Sequence, residues 1–228
     1  MNWEALFLTA RLAACTAVLL VVIGLPLAWW LARTRWSGRI YLEAVVALPL
    51  VLPPTVLGFY MLLFFGPQGA PGRWIGTVFG THLPFTFAGL LVASIIYSLP
   101  FAVQPFIAAF RFVDQELIDA ARVDGATSWQ AFWRITIPLA WPGLLAGFVL
   151  SFSHTVGEFG VALMIGGNIA GKTRTISMAI YDQVQSLDYG NAARTSLALL
   201  AFSFIVLTIT YALQRNSGWQ FFARPGRR

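Results

Sequence analysis

The 228-residue sequence is poor in the groups that do most chemistry. It has one cysteine, Cys15, two histidines, His82 and His154, and an Asp, Glu, Lys and Arg content of only 11%. A single thiol within an apolar run excludes an intrachain disulfide and argues against a thiolate metal site. Two histidines are too few for a histidine cluster. So little charge, with 58% apolar residues, excludes an ordinary soluble domain and points to an integral membrane protein. The net charge of +6 raises nucleic acid as a partner. The basic residues, however, sit at the ends of apolar runs with no aromatic-interleaved stripe, so membrane topology accounts for them and no nucleic-acid partner is expected.

Residues 12–32 are apolar for roughly the 20 residues that a spanning helix needs. Trp29, Trp30 and then Arg33, Arg35 and Arg39 follow this run. A signal peptide places its positive charges before the apolar stretch, so the run reads as a first span. Residues 44–65 form the second, with Pro49, Pro53 and Pro54 expected to kink or open it. Residues 66–81 read as an outer loop, and 83–110 as a third span interrupted by Pro100 and Pro105. Residues 139–157 form a fourth, in which Gly143 and Gly147 have small-residue spacing suited to close packing, with lipid-facing glycines the alternative. Residues 158–191 are too polar for a clean span and read as an outer or re-entrant loop with one short helix. Residues 195–213 are the fifth span. Ten of the fifteen basic residues fall in the segments 33–39, 111–134 and 215–228. The positive-inside rule then puts the N-terminus outside and the C-terminus in the cytoplasm. Five spans and no visible repeat argue against a carrier built from two inverted halves.

The longest polar interruption is the loop 115–138. Leu117, Ala120 and Ala121 share one face of a short amphipathic helix, with Glu116, Asp119 and Asp124 around them. Gly125 can end that helix in the left-handed conformation, Thr127 or Ser128 can cap the next, and Ile137-Pro138 marks re-entry into a buried segment. Asp119-Ala120-Ala121, three residues, Gly125, nine residues, Ile135, one residue and Ile137-Pro138 resemble the EAA loop of ABC-importer permeases. Asp119 stands for Glu and Ile137 for Leu. The resemblance implies a coupling helix that docks on a cytoplasmic ATPase, with Glu116, Asp119, Ala120, Ala121, Gly125, Ile135 and Pro138 as the coupling residues. The fold it implies is that of a type I importer permease. The chain would be a single all-α transmembrane domain over 1–228, with five spans, a short outer or re-entrant helix and a cytoplasmic coupling helix.

Gly166, four residues, then Gly171-Lys172-Thr173 match the phosphate-binding pattern GxxxxGK[ST]. That loop works between a buried strand and a helix of a nucleotide-binding domain, and the chain has no room for one, so no cofactor is expected in this subunit.

A narrower resemblance rests on residues 48–58 (LPLVLPPTVLG), Gly157-Glu158-Phe159-Gly160 and residues 168–175 (NIAGKTRT). These are similar to the molybdate permeases of bacterial ABC importers, and in part to the sulfate/thiosulfate and tungstate branch, to which Asp188-Tyr189-Gly190 also points. Where members carry Arg before GEFG this chain has His154, which makes a permanent cation titratable.

The resemblance implies a non-catalytic subunit of the bacterial inner membrane, surrounded by lipid. Two copies would enclose the pathway, two ATPase subunits would bind and hydrolyse ATP, and an external binding protein would deliver the oxyanion. A dianion is costly to desolvate, so its path favours polar donors and weak cations over a tight site. Candidates are Pro53, Pro54, Ser153, His154, Thr155, Glu158, Asn168, Thr173 and Arg174. Each also has a structural reading, since hydroxyls bond their own helix carbonyls. Glu158, which would repel an anion, fits a partnered structural carboxylate better. An independent channel or a membrane enzyme is the alternative of a different class. Against it stands the lack of a metal cluster, a nucleophile with its base, or paired carboxylates.

Overall fold

The computed structural model describes residues 2–216; Arg224, Arg227 and Arg228 of the C-terminal basic segment lie outside them. Every regular element among the described residues is helical. The elements are α1 (Trp3–Arg33), α2 (Arg39–Val51), α3 (Pro54–Phe65), α4 (Ala70–Phe79), α5 (Phe87–Phe112), α6 (Gln115–Val123), α7 (Ser128–Ala131), α8 (Ile137–Gly157), α9 (Gly160–Gly166), α10 (Ile176–Gln185) and α11 (Tyr189–Asn216). A π-helical turn, Phe132–Thr136, joins α7 to α8.

Among the described residues, four helices are long and apolar enough to cross a membrane, namely α1, the run 128–157 that ends in α8, α5 and α11. The pair α2 and α3 is long and apolar enough only when taken together, and is bent by 113° at Leu52-Pro53. Pro53 and Pro54 remove consecutive backbone donors there, and Pro54 begins the next helix at the position where its missing N–H is harmless. The expected opening of the second span is therefore a sharp break.

Three expectations are corrected. The third span is not interrupted, since α5 runs unbroken through Pro100 and Pro105. Packed between α1 and α8, its freed carbonyls are shielded from competing water, and the helix persists. Residues 66–81 are not a bare loop, because Pro71 in the first turn and the left-handed Gly80 after the last delimit α4. Residues 158–191 hold two short helices, α9 and α10. The first is almost wholly interior, with Val161, Ala162 and Ile165 fully buried.

The bundle is built on α1, α5 and α8. One apolar cluster gathers Leu31, Val103, Phe106, Phe110, Ile118 and Leu144 at the end that bears α6. A second gathers Leu12, Leu90, Ala93, Val161, Ile165 and Met178 at the opposite end. Gly143 and Gly147 do serve close packing. A β-carbon at 143 would lie 2.5 Å from that of Ala109, and one at 147 would lie 2.8 Å from the Ala102 carbonyl oxygen. Without water inside a bilayer to drive helices together, such backbone proximity is a main source of association.

Candidate functional site

The polar loop folds as a capped helix, a turn and a second cap. Asp114 accepts the Glu116 N–H at 2.9 Å and starts α6. Gly125 has φ of +90° and donates to the Arg122 carbonyl, while the Ala126 N–H reaches the Ala121 carbonyl. Thr127 and Gln130 then form a reciprocal capping box, with bonds of 3.2 and 2.9 Å, which satisfies two orphan donors of α7.

The inward anchor of α6 lies beside the face that Leu117, Ala120 and Ala121 share. Ile118 is its buried anchor, 4% exposed, and Ala121 is half-buried behind it. Leu117 is 51% exposed, and Glu116, Asp119, Ala120 and Val123 are exposed with it. Ile118 lies against the lower core, where a γ-branched Leu117 one residue earlier points away. The outward surface of α6 thus combines two bare apolar side chains, a small one and two carboxylates. Asp119 accepts from Gln115 at 2.9 Å. Arg33, in the last turn of α1, donates to the same Gln115 side chain and joins the loop to the first span. Ile135 is half-buried against the lower cluster, and Pro138 opens α8 in its first turn.

Between the two apolar clusters lies a band of buried polar groups. Ser94 and Ser98, four residues apart on α5, face His154, Thr155 and Glu158 near the end of α8. Ser94 donates to Glu158 Oε2 at 2.8 Å, and Ser98 Oγ lies 2.9 Å from both His154 Nδ1 and Thr155 Oγ1. Thr155 also donates to its own helix at the Ser151 carbonyl. The His154 ring stacks on Phe101 at 3.9 Å between centroids, with Tyr97 at 4.6 Å. Glu158 is 3% exposed, and its Oε1 is buried with no hydrogen-bond partner. Ser153 is half-buried one residue before His154.

This band ties α5 to α8, and Ser94 is its most consequential donor. Replacing it with alanine leaves a buried carboxyl without its hydroxyl, an expected loss of about 1–3 kcal/mol. In thermal unfolding of the detergent-solubilised protein, Ser94→Ala is expected to lower Tm. Adding Glu158→Leu is expected to recover part of that loss, because removing both partners of a buried pair is milder than removing one. Additive losses would contradict the pairing.

The remaining candidates assemble elsewhere, in the turn between α9 and α10. Thr173 is buried, donates to the Gly166 carbonyl at 2.6 Å and accepts the Ile169 N–H at 3.0 Å. Arg174 Nε donates to Asn168 Oδ1 at 2.9 Å and lies 3.4 Å from Asp182 Oδ2, while Asn168 Nδ2 donates to Asp182. Gly167 and Gly171, both at positive φ, fold the phosphate-loop pattern into a helix-ending turn that follows α9 and no strand. Next to it, Asp188 accepts from the Asn191 N–H and side chain at the start of α11, which holds its carboxyl below the usual carboxylate range.

Ser94, Ser98, Ile118 and Asp182 were not singled out in the sequence. The readable signal for the serines is their four-residue spacing, matched by that of His154 and Glu158.

Residues 24–218 match the family model described as the binding-protein-dependent transport system inner membrane component. The chain belongs to this permease family. The permease is 50% identical over 211 residues to the molybdenum transport system permease protein ModB of Azotobacter vinelandii, covering 92% of this chain and 93% of that relative. It is 36% identical over 197 residues to the sulfate transport system permease protein CysT of Escherichia coli K12, covering 86% of this chain and 71% of the relative. Among solved structures, it resembles a bacterial alginate ABC transporter in complex with an alginate pentasaccharide-bound periplasmic protein. The TM-score is 0.77 at 19% identity, over 93% of the permease and 78% of that chain. Its fold is accordingly that of an ABC importer permease.

Proposed function

We propose that this permease carries molybdate across the bacterial inner membrane as the non-catalytic subunit of an ATP-driven importer. The observation that supports the cargo most is the identity of 50% to a molybdenum permease across nearly the full length of both chains. Sulfate is the second reading, supported by the match to CysT, which leaves 29% of that relative uncovered against 7% for the molybdenum relative.

In this reading two copies enclose the pathway, and the α6 end of each faces the cytoplasm, with the N-terminus outside. One ATPase subunit docks on each α6 through Glu116, Leu117, Asp119, Ala120 and Val123, and Gly125 fixes the angle of that surface. Ile118, Ile135 and Pro138 join the docking helix to the core of α1, α5 and α8, so displacement of α6 moves the bundle as a unit. ATP binding draws the two α6 helices together and opens the pathway outward to a binding protein; hydrolysis reverses it. The band at Ser94, Ser98, His154, Thr155 and Glu158 serves as the internal tie that keeps α5 and α8 together through this cycle.

The test is transport of labelled molybdate by vesicles containing this chain, its ATPase and its binding protein, with and without excess sulfate. Uptake that sulfate leaves intact is expected. Uptake abolished by sulfate would move the cargo to the second reading.

A further inference from the structure

A membrane helix seldom exposes an amide in its interior. Gln104 lies on α5 about 25 Å along the axis from Phe87 and about 12 Å from Phe112, at 1.5 Å per residue. It is exposed and has no hydrogen-bond partner among the described residues. At that depth a lipid-facing amide is unfavourable, and polar groups within spans face a protein interior or a water-filled cavity.

Its surroundings indicate which. Gln104, Ala108 and Arg111 recur at helical spacing on one exposed stripe of α5. Across from them Glu43 of α2 accepts from the Arg111 guanidinium at 2.5 Å, and the pair is part-exposed. Glu43, Val46, Gln104, Ile107, Ala108 and Arg111 together line a cleft of about 140 Å³. The same α2 ends in the 113° break at Pro53, with Pro53 and Thr55 exposed beside it. Broken backbone in a membrane is tolerated where protein covers it or where it lines an aqueous cavity. The unpartnered amide and the ion pair across from it mark this face of α5 as polar.

We propose that the cleft of Glu43, Gln104 and Arg111 is a transit site for a tetrahedral dianionic oxyanion on the inner half of the pathway. This rests on the importer reading above. Arg111 supplies the charge and Gln104 an N–H donor about two turns further in. Glu43 competes for Arg111, so the anion is passed on instead of held, as conduction requires of any intermediate site. Hydrogen bonds to a charged partner are strong enough for their loss to be read in flux.

The test measures uptake and binding-protein-stimulated ATP hydrolysis in vesicles holding the whole complex. Arg111→Gln and Gln104→Leu are expected to lower uptake about tenfold while stimulated hydrolysis persists. Glu43→Gln acts differently. With Arg111 freed, oxyanion preloaded inside is expected to inhibit uptake at about tenfold lower concentration than in the wild type. A merely structural ion pair gives Arg111→Gln and Glu43→Gln the same phenotype, with no change in inhibition by internal anion, and that result overturns the proposal. So does wild-type uptake in all three variants, or loss of the dimer in Gln104→Leu, which would make the amide a contact between copies. The site recognises charge and shape, so wild-type complex that moves sulfate in place of molybdate overturns the cargo reading alone, and the variants then decide the site with sulfate. A wild-type complex that moves neither overturns both.

Discussion

Replacing Gly125 with valine is expected to lower ATP-driven uptake at least about tenfold while the protein still inserts and folds. The reason is conformational and not steric. A β-carbon at 125 would meet nothing within 4 Å, yet φ is +90°, a region where a β-branched residue is strained by about 1–3 kcal/mol. Energy of that size, about a 5- to 150-fold bias, is relieved by turning the peptide at 125, which re-aims α6 relative to the capping box at Thr127. In the docking proposed above, Leu117, Ala120 and Val123 then meet the ATPase at a different angle. Asparagine tolerates the left-handed region better than any β-branched residue, so Gly125→Asn is expected to retain a larger share of coupled uptake. Uptake and hydrolysis measured in the same vesicles, for both variants, check the order glycine, asparagine, valine. Wild-type uptake with valine would remove the turn from the account.

The second large effect concerns the bundle. Gly147→Val is expected to prevent stable assembly, because the first added carbon falls 2.5 Å from the Phe106 ring and 2.8 Å from the Ala102 carbonyl oxygen. The ring can shift; the carbonyl belongs to the α5 backbone and cannot without separating the helices. Overpacking of this kind costs typically about 1–3 kcal/mol, and here it acts on the contact between the two central spans. Gly157→Ala, where a β-carbon meets nothing within 4 Å, is the matched control on the same helix. Yield of monodisperse protein after detergent extraction, with its Tm, is expected to collapse for the first and stay near the parent for the second. Equal behaviour would mean that α5 and α8 are not held by close backbone contact.

Much of this architecture is legible in the residues, for identifiable reasons. The spans are long apolar runs with basic ends, and the turn at Gly125 carries residue types whose local backbone chemistry is specific. The proline pair at 53–54 announces its own break. What was missed depends on contacts made far along the chain. α9, a seven-residue apolar stretch, is too short to declare itself, and is helical because α3 and α5 bury it. α4 is hidden by its glycines and proline. Leu117 and Ile118 are both apolar neighbours on a short helix, and which one faces inward is set by where α1 and α5 place the lower core. Ser94 and Ser98 look like isolated polar residues in an apolar run until α8 brings His154 and Glu158 opposite them.

In the proposed cycle, hydrolysis on a partner subunit moves an oxyanion through this chain. Labelled molybdate accumulation in vesicles containing the full complex, with ATP against a non-hydrolysable analogue, reads that coupling. Accumulation is expected to require hydrolysable ATP and to disappear without the ATPase subunit. Equal accumulation with the analogue, or by the permease alone, would rule out ATP-driven transport through this chain.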